Sequence, residues 1–518
     1  MSLIPILGVP SNFRVPGQYA EILFAQGPST AAAGVREVIF VMPKMAASGT
    51  WTAGKVYPVK NEKAAADGAG LGSPLHRALR LFLMANHTAK VWALPYLPSS
   101  GGGLVSAALT VTWTSAPTKT GVTTLTVAGE PNTVSFTNTS TVTTIATAMR
   151  DLINSKTWLP VTASNAAGVL TLTAKIGGAS QNGHIRVRVE IDGGVTTTVA
   201  TQNSSDVDAL GTGAGTLGVD GATTENTNLV AALSNITASR YYYMVASVDD
   251  ATNLASFHNH ISAKSEPIPG LRSVGLWGSA DTQANLTTKA IARNYERLQV
   301  TWQLNSEHTR EELAANMAAI RQKYEELDSC FNFDGYATRG DWLIKGCYRD
   351  TDRPDFTELN DAIIDGITPI ATNDAGSYVV MTVNTRSKDS TGTTDDFRAT
   401  ETHRVSGADE FVDTWLLRHK LSYSGKKLQS DKLRANGTID PNQKLFKNVI
   451  TPSVYRPFPI SLLREFEGTR LQNVEASIAS LAVVRDPNNG GRLECGLDLY
   501  VTDLLHQMTA RVAEATPG

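Results

Sequence analysis

Residues Gly49-Thr-Trp-Thr-Ala-Gly54-Lys55-Val56 match the GxxxxGK spacing of a phosphate-binding loop. Val56 stands where a Ser or Thr would hold Mg²⁺, and the VYPVK that follows reads as a strand. No helix N-terminus would therefore face a phosphate, and the stretch is expected to be a glycine-rich turn between strands. His258 and His260 (FHNH) are the next candidates for chemistry. They lie two apart on a predicted helix, which points them to different sides, and no HExxH accompanies them. GxSxG is absent, so no nucleophile elbow is expected. Ser, His and Asp occur in the region read as a parallel sheet, but a triad is recognised by geometry and nothing fixes one here. Asp249-Asp250 and Asp395-Asp396 sit beside turn signals, where helix capping or solvated loops are expected. Trp113 and Trp158 could stack on sugars, yet a half-buried β domain needs such residues too. Cys330, Cys347 and Cys495 form no CxxC pair and no metal spacing. The expectation is no catalytic residue, no cofactor and no metal.

The elements that would position any site are set by size and composition. At 518 residues the chain should hold several domains. A hydrophobic share of 42% and a charged share of 18% describe an ordinary globular protein. The net charge of -3 argues against bulk electrostatic binding to nucleic acid. No run of about 18 apolar residues suggests a membrane span. A signal peptide is not expected, because the first residues lack a basic region and are cut by Pro5 and Pro10. The sparse, odd cysteine count suits a reducing compartment.

Six segments follow from the pattern. Residues 1–22 read as an extended, proline-punctuated arm. Residues 23–103 read as an α/β block: strand 35–42, strand KVYPVK, a helix from Ser73 with Pro74 at its first position, and strand AKVWALPY. SSGGG at 99–103 is a flexible joint. Residues 104–205 form a Thr-rich, mostly β insertion with period-two strands and one helix over 144–156. Residues 206–375 alternate helix and strand, which implies an open parallel sheet with right-handed crossovers. Residues 376–496 read as an α+β unit with a long helix through FVDTWLLRHKL and a strand over 473–485. Residues 497–518 form a second arm.

The two arms are the main feature of the chain ends. Ile4, Ile6 and Leu7 at the start, and Leu497, Leu499, Val501, Leu505, Met508 and Val512 at the end, are apolar and strand-like. Unpaired terminal strands are a liability unless something pairs with them. They either tuck into their own sheet or add to a neighbour's. A third feature is basic: Arg418, Lys420, Lys426, Lys427, Lys432 and Arg434, with Asp431 the one acid in the run. It is either a solvated face or a contact stripe.

The ordered series of segments resembles the tail sheath protein of contractile phages, most like its Mu-like branch. GSPLHRALRLFLMANHTAKVWALP (72–95) closes the first block. WLPVTASNAAGVLTLTAKIGGASQNGHIRVRVE (158–190) is similar to the family's insertion. VVMTVNTRSKDSTGTTDDFRATETHRVSGADEFVDTWLLRHKLSYSGKKLQSD (379–431) and GRLECGLDLYVTDLLHQMTARVAE (491–514) resemble its C-terminal unit and extension. One stretch departs: Leu327 to Gly335 stands where the family often has Asp-Pro-Ala-Arg-Pro. The resemblance implies a subtilisin-like fold without protease activity in the central segment. It implies subunits in stacked hexameric rings around an inner tail tube, with a baseplate and a tail terminator at the ends. The arms would cross to neighbours, the insertion would be peripheral, and the basic run would meet an acidic tube surface. The place implied is a virion tail assembled in the host bacterial cytoplasm, with no nucleic acid or membrane partner. A subtilisin-like hydrolase and a glycan- or surface-binding virion protein are the alternative readings.

Overall fold

Asn61, Ser73, Thr141, Asp250 and Asp355 each start a helix by accepting a backbone N–H with a side-chain oxygen. In the computed structural model the described residues are 36–98, 108–176, 185–192, 195–202, 215–217, 224–336, 341–347, 353–388, 394, 400–440 and 442–506. They fall into two units. Among the described residues, one lies within 34–327 and 335–402 and the other within 328–334 and 403–518.

The larger unit is built on one eight-stranded sheet. Its order is Gly376–Val379, Thr368–Asn373, Leu298–Trp302, Val274–Ser279, Tyr243–Ala246, Val38–Pro43, Val91–Tyr96 and Tyr57–Val59. The inner six are parallel, and both edge strands are antiparallel. The expectation of a parallel sheet over 206–375 is thus widened to a mixed sheet that also takes in strands from 38 to 96. The alternation of strand and helix carries no information about pairing between segments that far apart. The central strands are buried on both faces, as parallel strands between helices should be.

Helices Thr224–Ser234, Ala251–Ser265 and Gln283–Ile291 cover one face through Leu229, Leu233, Leu254, Phe257, Ile261 and Leu286. Helices Pro74–Ala85 and Arg310–Glu325 cover the other. Phe82 meets Phe40 edge-on at 5.3 Å. Gly278 lets the second helix sit against the sheet, since a Cβ there would lie 2.2 Å from the Arg310 carbonyl oxygen.

The insertion forms two four-stranded sheets around its own apolar core and one helix, Val142–Ser155. The second sheet recruits Gly215–Leu217, beyond the boundary at 205 read from composition. Polar contacts tie the insertion to the rest of this unit. Arg186 donates to Asn305 at 2.6 Å, Arg188 pairs with Glu307, and Lys345 donates to the Gly129 carbonyl. Arg80 lies 5.0 Å over the Trp158 ring.

In the smaller unit, helix Thr402–Tyr423 packs Phe411 against Leu462, Leu463, Phe466, Leu471 and Val474. Residues 473–485, expected as one strand, are instead helix Val474–Ser480 followed by strand Ala482–Arg485. Small residues (AS-IAS) fill most of that helix. Asn473, at φ 56°, turns the chain into it.

Burial pushes the His76 imidazole down to about 4, helped by Arg80, Arg77 and Lys175. A histidine held neutral in the fold protonates more readily when unfolded. Stability is therefore complete above pH 6.5 and falls as pH drops from 6.5 toward 4, by about 3 kcal/mol for this group. His76→Gln should flatten that part of the fall in urea unfolding curves taken across this range. An unchanged pH slope would contradict it.

Candidate interaction surfaces

Four groups of sequence candidates for chemistry have structural surroundings in the fold. Around Gly49 the backbone donors are already spent: Thr50 N on Asp67 O, Trp51 N on Gly68 O and Gly54 N on Pro95 O. A Cβ at Gly49 would lie 2.6 Å from the Gly68 oxygen, so this glycine serves close packing. His258 rests 4.8 Å from the Tyr295 ring, and burial lowers its pKa. Burial likewise pushes His260 down to about 4. Trp113 is buried in the insertion core and Trp158 lies under Arg80, so Trp113 is no exposed sugar platform. Cys330 and Cys495 have thiols pushed up to about 12 by burial, which keeps them unreactive at neutral pH.

Open α/β sheets bind ligands beyond the carboxyl ends of their strands. Here Asp249 and Asp281 stand at that end of the sheet. Lys289 joins both, at 2.8 and 3.0 Å, and Arg310 reaches Asp249 at 3.0 Å. The charges neutralise one another. Among the described residues no group of three or more His, Cys, Asp or Glu is placed to hold a metal.

The smaller unit offers surfaces instead. Ala482–Arg485 pairs antiparallel with Leu493–Gly496, and Lys427–Leu428 pairs parallel with Val449–Ile450. No further strand joins either pair among the described residues. A two-stranded sheet is marginal alone, and its edges present unpaired backbone groups.

The C-terminal segment divides. Leu497 and Leu499 pack on the unit's own core, and Val501 is buried. Gln472 N donates to Tyr500 O and Thr502 N to Arg470 O, both at 3.1 Å. Asp503 is held by Arg404 and by Gln472 at 3.0 Å. Burial would raise its carboxyl, but these partners win and lower it. His506 meets Asp334. Leu505 is exposed. Met508, Val512, Ile4, Ile6 and Leu7 lie outside the described residues. The alternation of apolar residues over 497–505 could not say whose sheet they would face.

The basic run is partly neutralised in the chain. Arg418 grips Glu465 with two hydrogen bonds, one at 2.6 Å, which lowers that carboxyl. Asp440 lies 3.4 Å from Lys432 and 3.8 Å from Arg434. Lys426 sits 5.1 Å over the Tyr423 ring. Lys420 and Lys427 are exposed, while Asp431 accepts from Ser453 N at 3.0 Å. Glu465 is 47 residues from Arg418, too far for local charge spacing to signal.

The described residues form a multidomain α/β chain whose two-stranded sheets are extended by no further described strand. No family model matches the chain. It is 23% identical over 500 residues to the Mu-like prophage FluMu tail sheath protein of Haemophilus influenzae, covering 94% of each chain. The resemblance read in the sequence thus has a homologue behind it along nearly the whole chain. The crystal structure of a sheath tail protein from Desulfitobacterium hafniense covers 96% of this chain and 100% of its own at 13% identity. Its TM-score is 0.44, an overlay too loose to define a shared fold.

The packing of Val501 and its neighbours separates two truncations. Deleting 507–518 gives the reference denaturant midpoint for the smaller unit. Deleting 497–518 should cost on the order of 3 kcal/mol, the burial of Val501 and the half-burial of two leucines. Equal stabilities for the two would show that 497–506 contributes nothing at home.

Proposed function

We propose that this chain is the structural subunit of a contractile tail sheath, polymerising around an inner tube and contracting to drive it through a bacterial envelope. The carrying observation is the likeness to a phage tail sheath protein over 94% of both chains. That relative's role points to a non-enzyme and to the virion tail. In this reading the larger unit has a subtilisin-like core without its chemistry, and the insertion is peripheral. Subunits form hexameric rings stacked helically, assembled in the host cytoplasm between a baseplate and a tail terminator. The terminal arms add strands to the C-terminal units of neighbours. The pairs Ala482–Arg485/Leu493–Gly496 and Lys427–Leu428/Val449–Ile450 support this, because each leaves edges that strand addition would satisfy. Contraction needs no cofactor: a small packing gain per subunit is multiplied along the tube.

Negative-stain electron microscopy of the purified chain tests the reading. Tubes or stacked rings are expected, and uniform monomers at all salt concentrations would sink it. Removing 1–20, or separately 507–518, should abolish such assemblies while the subunit stays folded by circular dichroism. Tubes from either truncation would clear that arm of the role.

The tube contact falls to the exposed part of the basic run. With Arg418, Lys432 and Arg434 paired in the chain, the exposed Lys426 and Lys427 carry most of the outward charge. Exposed pairs give about 1 kcal/mol or less each and weaken with salt. That suits a surface that releases its tube. Reversing Lys426 and Lys427 to Glu should impair co-assembly on tubes at low salt with Tm nearly unchanged. Normal co-assembly would remove the stripe.

A further inference from the structure

Two exposed phenylalanines carry opposite surroundings. Phe446 is 74% exposed and Phe356 is 89% exposed. Single exposed apolar residues are ordinary, but each of these is set among charges of one sign.

Phe446 lies on an excursion that leaves strand Lys427–Leu428 and returns to strand Val449–Ile450. Nearly every described residue on it is exposed. Its shape comes from its own hydrogen bonds: Gly437 N to Arg434 O, Asp440 N to Lys432 O, and Gln443 Nε2 to Ser430 O. Leu433, Ile439 and Leu445 are exposed on it as well, so this finger has no core of its own. At Lys444-Leu445-Phe446-Lys447 two lysines bracket the apolar pair. Among the described residues neither lysine has an ion-pair partner.

Phe356 opens helix Phe356–Ile364 in the other unit. Asp355 caps that helix, accepting from Glu358 N at 2.8 Å, and Leu359 and Ala362 are its buried residues. Asp355, Glu358 and Asp361 are exposed beside Phe356. Between Arg353 and Arg386, residues 354–385 contain five acids and no lysine or arginine. Among the described residues none of the three exposed carboxylates forms an ion pair.

We infer that the Lys444–Lys447 finger of one copy docks on the acidic Asp355–Asp361 face of a second copy. The match is in both charge and shape of contact: two lysines bracket an aromatic, and three carboxylates surround another. Aromatic pairs prefer such edge or offset contacts, and opposite rims steer the approach. The two patches differ, so the contact is head-to-tail and passes from copy to copy without using itself up. It rests on the self-association proposed above, but it uses neither the terminal arms nor Arg418–Arg434.

Full-length K444E/K447E and E358K/D361K variants test this by sedimentation velocity and negative stain at low salt. All four positions are exposed, and circular dichroism checks that both variants fold. Each variant should self-associate about tenfold or more weakly than the wild type, from the exchange of attraction for repulsion. Mixing the two variants should restore assembly, since each then presents the charge that the other lacks. Combining all four substitutions in one chain should restore it too. Wild-type assembly by either variant overturns the contact and leaves the sheath reading standing. Failure of both restorations also overturns it. Reversals that spare self-assembly but abolish retention on purified tubes assign Lys444–Lys447 to the tube instead, and overturn it. A wild type that never self-associates removes both this contact and the function proposed above.

Discussion

The larger unit depends on satisfying a helix that is buried although its sequence is polar. Arg310–Glu325 reads REELAANMAAIRQKYE, and fourteen of its residues are buried. Charges removed from water cost several kcal/mol each unless they are paired and hydrogen-bonded. Apart from the Arg321–Glu325 pair within the helix, the partners come from elsewhere. Glu325 takes Arg36 at 2.6 Å, Arg321 at 2.5 Å and the Tyr243 hydroxyl at 2.5 Å. Arg321 also donates to Gln299 at 2.5 Å. Glu312 takes Arg77 at 2.6 Å, which holds its carboxyl well below the usual range against the opposing push of burial. Asn316 bonds both Asp341 O and Leu343 N at 2.8 Å. These bonds join the chain near 36, 77, 243, 299 and 341 to one rod.

The same helix governs where the insertion sits. His308 precedes its N-terminus. Its Nδ1 faces Glu312 at 3.3 Å, and its Nε2 accepts from Lys345 N at 3.1 Å. That arrangement places the ring's one N–H on Nδ1, where it donates to Glu312. The imidazole then forms a flat wall for Gly129, whose added Cβ would lie 3.2 Å from it. Gly129 follows Ala128 in a left-handed turn between strands Gly121–Val127 and Glu130–Phe136. A hairpin tip thus rests on a ring that the buried ion pairs orient. An outlying β domain is fixed to the sheet by polar contacts.

The smaller unit is organised the opposite way. Its core is small, its sheets have two strands each, and apolar side chains stay exposed along its finger. Thin sheets and exposed apolar groups are poor for a free monomer and suited to a lattice, where neighbours complete both.

Local chemistry was legible in the sequence wherever its cause lay within one helical turn or one strand. Ser73 and Pro74 announced a helix start. The YYYMVASV, SVGLWG and RLQVTWQ runs announced buried strands. The missing Ser/Thr after Lys55 identified a turn, and the likeness to tail sheath proteins lay in an order of segments readable along the chain. Three things needed the tertiary structure. The strands from 38 to 96 joined the central sheet across the whole insertion. A helix of polar sequence became buried because partners hundreds of residues away supplied its counter-charges. The basic run lost much of its outward charge to Glu465 and Asp440. In each case the deciding interaction is a pairing between distant residues. Periodicity and local charge spacing report only what a residue needs from its neighbours along the chain, whereas burial and charge compensation are settled by what meets it in space.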